Sequence, residues 1–484
     1  MTGTTLARRT LGTGALSVFA VGASSPLTVL VGSTVSTYAI TGIEGVPLSF
    51  LVVMILLLLV AVGYVTMSRR VPHSAPFYAQ LARGLNPMAG VAGAVVAMLG
   101  YNAIQICLYA LVGTTVANQF GGVWWAWAIV AWVIVAILGQ FRGAANAKIL
   151  GSLLVLELAT ILLFDIAAFA NPAEGTITLT SFAPSKLLVT GASAVLMFAV
   201  AAFVGVESPP AFGEEARSPK AVSWGTFGSI LFLGGFYAIS AWAYITAAGP
   251  TDIQKAATDP DRAPFAFLGR VFGFGMVDLA TMLLVTSVLA AMTAFHATVA
   301  RYIFALAREH VLPNALARVS GGANGGAPLA GSIVQSVTAA AVVVPFVLQG
   351  ADPMATMFVW LSAIGAICIL LLLTVSSAAA FFFFNAGGGT HESVMVRQVI
   401  PVVGAIVGVL VLLFLLGNLS VLLGTAPGSL VPYVVLGLVV AAIVVGLGWG
   451  AWIARTRPDV YREIGNGTPD PLTVLDQRLS DLPI

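Results

Sequence analysis

The stretch "SFLVVMILLLLVAVGYVTM", residues 49–67, contains no charged side chain, and runs of the same kind recur along the chain. The hydrocarbon core of a bilayer is about 30 Å thick, so roughly 20 apolar residues in helical form cross it. By that measure about twelve spans are expected, near residues 14–41, 47–67, 88–118, 123–140, 147–170, 188–212, 222–248, 272–305, 328–349, 354–384, 398–417 and 429–454. Transmembrane barrel strands alternate apolar and polar residues over about ten positions, whereas these runs are continuous, which excludes a barrel. Only 8% of the 484 residues are charged and 59% are hydrophobic, too few charges to clothe a water-soluble surface. The expected fold is all-α, a multi-pass protein of the lipid bilayer in the cell membrane.

Lys and Arg collect in alternate loops. With the N-terminus placed in the cytoplasm, the even-numbered loops and both tails, 1–13 and 455–484, hold all but four of the 21 basic residues; Lys186, Lys255, Arg262 and Arg270 fall outside. That bias predicts N-in and C-in. The net charge of +2 thus reports orientation and points to no nucleic-acid partner. Arg8 and Arg9 before the first span imitate a secretory leader, but the apolar stretch is too long and lacks a clear cleavage site, so it is taken as helix 1. Cys107 and Cys368 lie within spans and suggest neither a disulfide framework nor a metal pair. With no phosphate-binding G-x-x-x-x-G-K-[ST] loop and no His/Cys metal spacing, no cofactor, metal or enzymatic activity is expected, and any transport must run on a gradient or on exchange.

Two of the spans contain the same word, "VGASSP" at residues 21–26 and "VGVESP" at 204–209. Proline has no N–H, so Pro26 leaves the carbonyl of Gly22 without its helical partner, and Pro209 does the same for Gly205. Ser25 and Ser208, each preceding a proline, are pushed away from helical geometry. Both helices should unwind there, Gly22 lying roughly 12 Å along helix 1 from residue 14 and so near mid-bilayer. Unwound backbone at that depth must line protein or a water-filled cavity. Half-helix ends then present N–H groups on one side and carbonyls on the other, a pairing suited to a zwitterion.

The segment "AAFVGVESPPAFGEEARSPKAV", residues 201–222, resembles the sixth-helix signature of the amino acid, polyamine and organocation permeases, F-x-G-x-E-S followed by G-E-E-x-x-x-P. "SVLAAMTAFHATVARYIFALAREHVLP", residues 287–313, is similar to that family's eighth helix, with Ala300 in place of the family Ser and Glu309-His310 in place of Asp-Gly. The resemblance implies a leucine-transporter-like inverted repeat of five plus five helices. Residues 14–170 would form one repeat and 188–384 the other, with discontinuous helices 1 and 6 and with helices 11 and 12, 398–454, outside the core. It also implies a substrate site at the breaks. Gly22, Ala23 and Ser24 keep only the first glycine of the family's G-x-G, so the Ser24 and Ser25 hydroxyls are candidate donors, capping being their alternative role. At helix 6, Phe203 matches the family aromatic beside the substrate, Gly205 the unwound point and Glu207 the family glutamate. Packing is the alternative for Phe203, and bonding of its own broken backbone is the alternative for Glu207. Ala201 is small where some relatives carry a large aromatic.

Helix 3 adds "YNAIQICLY", where Tyr101, Gln105 and Tyr109 share one face with Asn102 alongside. Tyr101, Asn102 and Gln105 are candidate binding groups or interhelical glue, and Trp360 a candidate wall of the pocket or an interfacial anchor. Glu157 lies nine residues beyond Lys148, roughly 14 Å further along helix 5, near the membrane centre. A carboxyl at that depth is a functional candidate by default. Many relatives place a Lys at the matching position, where its ammonium stands in for sodium, and Thr286 and Ser287 resemble the hydroxyl ligands of the sodium site in leucine-transporter-like relatives. Glu157 is therefore expected to couple transport to H+ or Na+, or else to pin helix 5 to helix 8. Asp165 and Asp278 are expected to be solvated near the outer surface, and His296 to be a satisfied core residue. The function expected is secondary transport of an amino acid or related amine, proton-coupled or by exchange. The alternatives are a potassium-type cation permease of the same superfamily and a non-transporting membrane sensor.

Overall fold

Helix 1 shows how the sequence sets the architecture. Its apolar stretch, Thr13–Thr41, is long enough to cross a bilayer, yet Ser25 adopts a left-handed conformation with φ 50° and ψ 76°. The Ser25 N–H closes the first half on Val21 (3.0 Å), and its carbonyl accepts from Val29 to open the second (3.1 Å). Pro26 occupies the first position of that second half, where its missing N–H costs no bond. The following turn, Val29–Thr34, is wound as a π-helix.

This computed structural model describes residues 11–140, 143–258, 263–320, 327–388, 392–426 and 428–467, with the side chains of 143–150 excepted. The expectations for the tail residues 1–10 and 468–484, and for Arg142 and Arg262, lie outside the described residues. Among the described residues ten helices are long and apolar enough to cross a membrane, and two shorter apolar helices, Trp124–Leu138 and Ala192–Ala202, fall at the fourth and sixth expected spans. In order, helix 2 is Val46–Ser68, helix 3 Pro87–Phe120, helix 5 Gly143–Ala170, helix 7 Pro219–Ala248, helix 8 Phe274–Arg308 and helix 9 Leu329–Leu348. Helices 10, 11 and 12 are Pro353–Asn385, Met395–Gly417 and Val431–Thr456. The described residues are otherwise joined by turns and short helices, with one isolated bridge between Leu11 and Ala216.

Helix 6 breaks where expected but does not resume as a long helix. Its regular part stops at Ala202, five turn residues follow, and only a 3-10 turn, Pro209–Phe212, precedes helix 7. The Gly205 carbonyl, expected to be freed by Pro209, accepts instead from the Ser208 N–H at 3.0 Å. A shorter hydrogen-bonded loop has replaced the missing helical bond, which satisfies the buried oxygen at once.

Helices 3 and 10 form the centre, with 78% and 83% of their most apolar windows buried, whereas helices 9 and 12 bury only 22% and turn their apolar side chains outward. Helix 12 packs along helix 3 through Gly446 and Gly450: a Cβ at these positions would stand 2.4 Å from the Cα of Ala92 and 2.9 Å from that of Met88. Small residues four apart let two membrane helices approach at backbone distance.

Candidate functional site

Gly205 sits where the two broken helices touch. Its φ is 116°, and a Cβ there would lie 2.8 Å from the Cβ of Ala23 and 3.0 Å from the Ser24 nitrogen. Only glycine tolerates both the conformation and the approach. The Ser24 hydroxyl adds a long hydrogen bond to the Val204 carbonyl, 3.4 Å. The breaks in helices 1 and 6 are thus one joint in space, although 180 residues separate them in the chain.

A cavity opens beside this joint. Helix 1 gives it a polar side, Ser24, Ser25, Thr28 and Ser33, together with Ala23 and Val29. The other walls are apolar except for Ser362 of helix 10. Ile104, Cys107 and Leu108 come from helix 3, and Phe198, Ala201, Ala202 and Val204 from helix 6; Phe295 and Phe358 close the space from helices 8 and 10. Among the described residues no Asp, Glu, Lys, Arg or His lines it, so the cavity presents mainly hydroxyls and backbone at one end and apolar surface at the other. Mostly apolar walls with a few placed polar groups are what small-molecule sites have in common.

Several expected binding residues stand elsewhere. Phe203 is 1% exposed and packs between Phe50 of helix 2 (6.4 Å) and Tyr237 of helix 7 (5.6 Å), away from the cavity. Asn102 turns back on its own helix, its Nδ2 donating to the Met98 carbonyl at 2.8 Å. Gln105 accepts from Gln335 of helix 9 and lies near the Tyr109 hydroxyl, 3.4 Å, so this polar stripe joins helices. Tyr101 packs on Phe295 and Tyr302. The cavity takes the neighbouring face of helix 3, on which Ile104, Cys107 and Leu108 follow helical spacing. Trp360 is likewise displaced by Phe358 and Ser362, one turn apart on helix 10. Gly22 is absent from the lining, and the space where its Cβ would stand is open within 4 Å.

Glu207 makes the backbone bond of its own loop: its Oε2 accepts from the Gly205 N–H at 2.9 Å, while its carbonyl accepts from the Tyr64 hydroxyl at 3.0 Å. Glu157, 4% exposed, reaches the break of helix 1. Its Oε1 accepts from the Leu27 N–H at 2.6 Å, the first N–H of the second half-helix, where the helix dipole favours negative charge. Ser287 stands against the same carboxyl. Its hydroxyl and that of Ser25 are 2.5 Å apart, and Ser25 also bonds Thr28 at 2.6 Å. Helices 1, 5 and 8 therefore meet in one cluster of hydroxyls, backbone and a carboxyl. Thr286 is not in it; its hydroxyl returns to the Leu283 carbonyl at 2.9 Å.

Asp165, expected at the surface, is 3% exposed and accepts from Ser240 of helix 7 at 2.9 Å. Asp278 is at the outer end of helix 8, where Gln119 donates to it at 2.8 Å. His296 Nε2 pairs with the Ser332 hydroxyl at 2.7 Å.

The side of the bundle bearing residues 11 and 467 is closed beneath the joint, and this side is referred to as inner. Phe19 stacks on Phe212 at 4.6 Å, and the Arg301 guanidinium covers Phe212 at 4.3 Å while pairing with Glu215 at 3.2 Å. Backbone bonds from Leu11 to Glu215 (3.1 Å) and from Arg217 to Leu11 (2.8 Å) complete the closure.

A model of the amino acid permease family matches residues 14–454. No curated protein matches the sequence. Among solved structures, the chain is similar to a manganese transporter of Eremococcus coleocola in complex with an aromatic bis-isothiourea-substituted compound, with TM-score 0.58 at 13% identity over 93% of this chain and 94% of that one. A form of the same transporter with a histidine replaced by alanine gives TM-score 0.57 at 13% identity over the same shares. At such identity the likeness is one of fold.

Proposed function

The chain belongs to the amino acid permease family and is a multi-pass secondary transporter of small molecules; from that premise we propose that it carries an amino acid or a closely related amine by alternating access. The observation that carries this reading is the joint at Gly205 and Ala23, where the two broken helices meet beside a cavity with hydroxyls at one end and apolar walls at the other. Half-helix ends can meet both charges of a zwitterion at once, and the walls favour an uncharged side chain. A polyamine would leave its far ammonium against Phe and Ile, since among the described residues no carboxyl lines the cavity. Both tails are taken as cytoplasmic, with residues 14–170 and 188–384 as the two repeats. Glu157 is taken as the coupling group, its carboxyl exchanging a proton as the helix 1 break opens and closes.

One of the similar solved structures is a manganese transporter, and a divalent cation prefers a set of several oxygen, nitrogen or sulfur ligands. Among the described residues no group of three His, Cys, Asp or Glu side chains is placed to hold a metal ion. The test is a thermal-shift series on the purified protein with amino acids, diamines, K+ and Mn2+, since a ligand that binds only the folded state raises its apparent stability. An amino acid with an uncharged side chain is expected to raise the unfolding temperature. Stabilisation by Mn2+, K+ or a diamine, with none by any amino acid, overturns the reading.

A further inference from the structure

Glu309 ends helix 8 on the inner side. Its side chain is 4% exposed and has four donors. His73 Nε2 (2.7 Å) and the Gly467 N–H (3.0 Å) serve Oε1; the Tyr78 hydroxyl (2.6 Å) and the Gly465 N–H (2.8 Å) serve Oε2. The Ala75 N–H donates to His73 Nδ1 at 2.9 Å, which leaves Nε2 as the protonated nitrogen and makes His73 a donor without requiring it to be charged. Burial alone would push the Glu309 carboxyl up, but the bond from His73, then those from Tyr78 and Gly465, hold it below the ordinary carboxylate value. Two of the four donors come from the segment after helix 12.

That segment is shaped for the contact. Gly465 and Gly467 have φ of 80° and 69°, so their N–H groups converge on one anion, as in a backbone nest. A Cβ on Gly465 would stand 2.7 Å from that of Ala82, on the short helix Pro76–Gly84 between helices 2 and 3. Arg83 donates to Asn466 at 2.5 Å, and Arg457 to the His310 carbonyl at 2.8 Å. His310 holds φ 62°, a strained value for a residue with a side chain, and its Nδ1 lies 2.6 Å from Asn314 Oδ1.

The same loop leads to the inner closure. Next to His73, the Ser74 N–H donates to Glu214 at 3.0 Å, and Glu214 pairs with Arg308 at 3.0 Å. Glu215, the neighbour of Glu214, pairs with Arg301 and accepts from Leu11. We infer that the C-terminal segment 457–467 is a clasp: seated on Glu309, it holds helix 8, the connection between helices 2 and 3 and the loop after helix 6 together, and it must leave before the inner side opens. Removing it would strand a buried carboxylate with half its donors, a state that costs more than the bonds gained by forming it.

The test is hydrogen–deuterium exchange on the purified full-length protein and two variants, Gly465→Leu, which cannot seat the segment, and Glu309→Gln, which removes the charge and replaces one of the two acceptor oxygens with an NH2 donor. It needs no substrate and so stands or falls apart from the transport assignment. In both variants exchange is expected to rise on the order of tenfold, first in 458–467 and then at the backbone of 11–20 and 212–217. Should Gly465→Leu fail to fold, Glu309→Gln carries the comparison. Fast exchange in 458–467 with 11–20 and 212–217 as protected as in the parent overturns the coupling. Continued protection of 458–467 in Glu309→Gln overturns the assignment of Glu309 as its anchor.

Discussion

At Gly205 one absent methyl group lets two broken helices touch. A leucine there would have to displace Ala23 and the Ser24 nitrogen while holding φ 116°, a strain added to an overlap. Gly205→Leu is expected to abolish transport while the protein still inserts, measured as uptake per inserted molecule; uptake near the parent value would remove the joint from the site. Phe203 shows the limit of a motif. Its alignment with the family aromatic was legible in the sequence, but the direction of its side chain depends on Phe50 and Tyr237, which no local pattern brings together. Phe203→Ala is therefore expected to cost about 3–5 kcal/mol of stability, the usual range for emptying a core aromatic site, with ligand affinity little changed. A large loss of affinity at unchanged unfolding temperature would return Phe203 to the pocket. Thr286 and Ser287 make the same point more finely: adjacent residues on a helix face about 100° apart, and only Ser287 reaches Glu157.

Among the elements, helices 1 and 5 carry the coupling proposal. The break in helix 1 was legible because proline chemistry is local, and the mid-depth position of Glu157 followed from helical rise. Its partner Leu27 was not legible, since an N–H becomes available only once the tertiary fold sets helix 5 against the break. Asp165 was misplaced for a related reason: distance along helix 5 says how far out it lies but not that Ser240 of helix 7 covers it. Glu157→Gln keeps the shape and removes the titration. It is expected to retain exchange of substrate for substrate but to lose stimulation by an imposed pH gradient in proteoliposomes; full stimulation in a folded variant would clear Glu157 of the role. Helix 3 offers an independent probe, because Cys107 lines the cavity and Cys368 of helix 10 does not. Substrate is expected to slow alkylation of Cys107 by a small thiol reagent and to leave Cys368 unaffected. Equal protection of both, or of neither, would place the ligand elsewhere.

Over the whole molecule, ten long spans were legible because bilayer thickness fixes helix length; the break in helix 6 was legible in Pro209, but that only a short 3-10 turn follows it was not, since how the backbone continues past the break depends on what packs around it. The inner face was hidden more fully. Glu309 stood out as a departure from the family's eighth-helix ending, but the segment that binds it has no apolar periodicity to announce it. Two carboxyls there set a pH dependence. Glu309 lies below its ordinary value, and so does Glu214, where burial is opposed and outweighed by the bond and charge of Arg308, with the Ser74 N–H adding a further bond. A lowered folded value means that their contribution is complete above the unfolded glutamate value, about 4.3, and is lost as pH falls through the folded values. Thermal stability should decline over that acid range, and less steeply in Glu309→Gln; equal slopes would detach Glu309 from it. The most direct test of the transport assignment is counterflow: proteoliposomes preloaded with an unlabelled amino acid of uncharged side chain, given a trace of the labelled form outside, for the parent and Gly205→Leu. Transient accumulation of label by the parent and none by Gly205→Leu is the predicted result; no accumulation of any amino acid by folded parent protein, with Mn2+ or K+ entering instead, would contradict it.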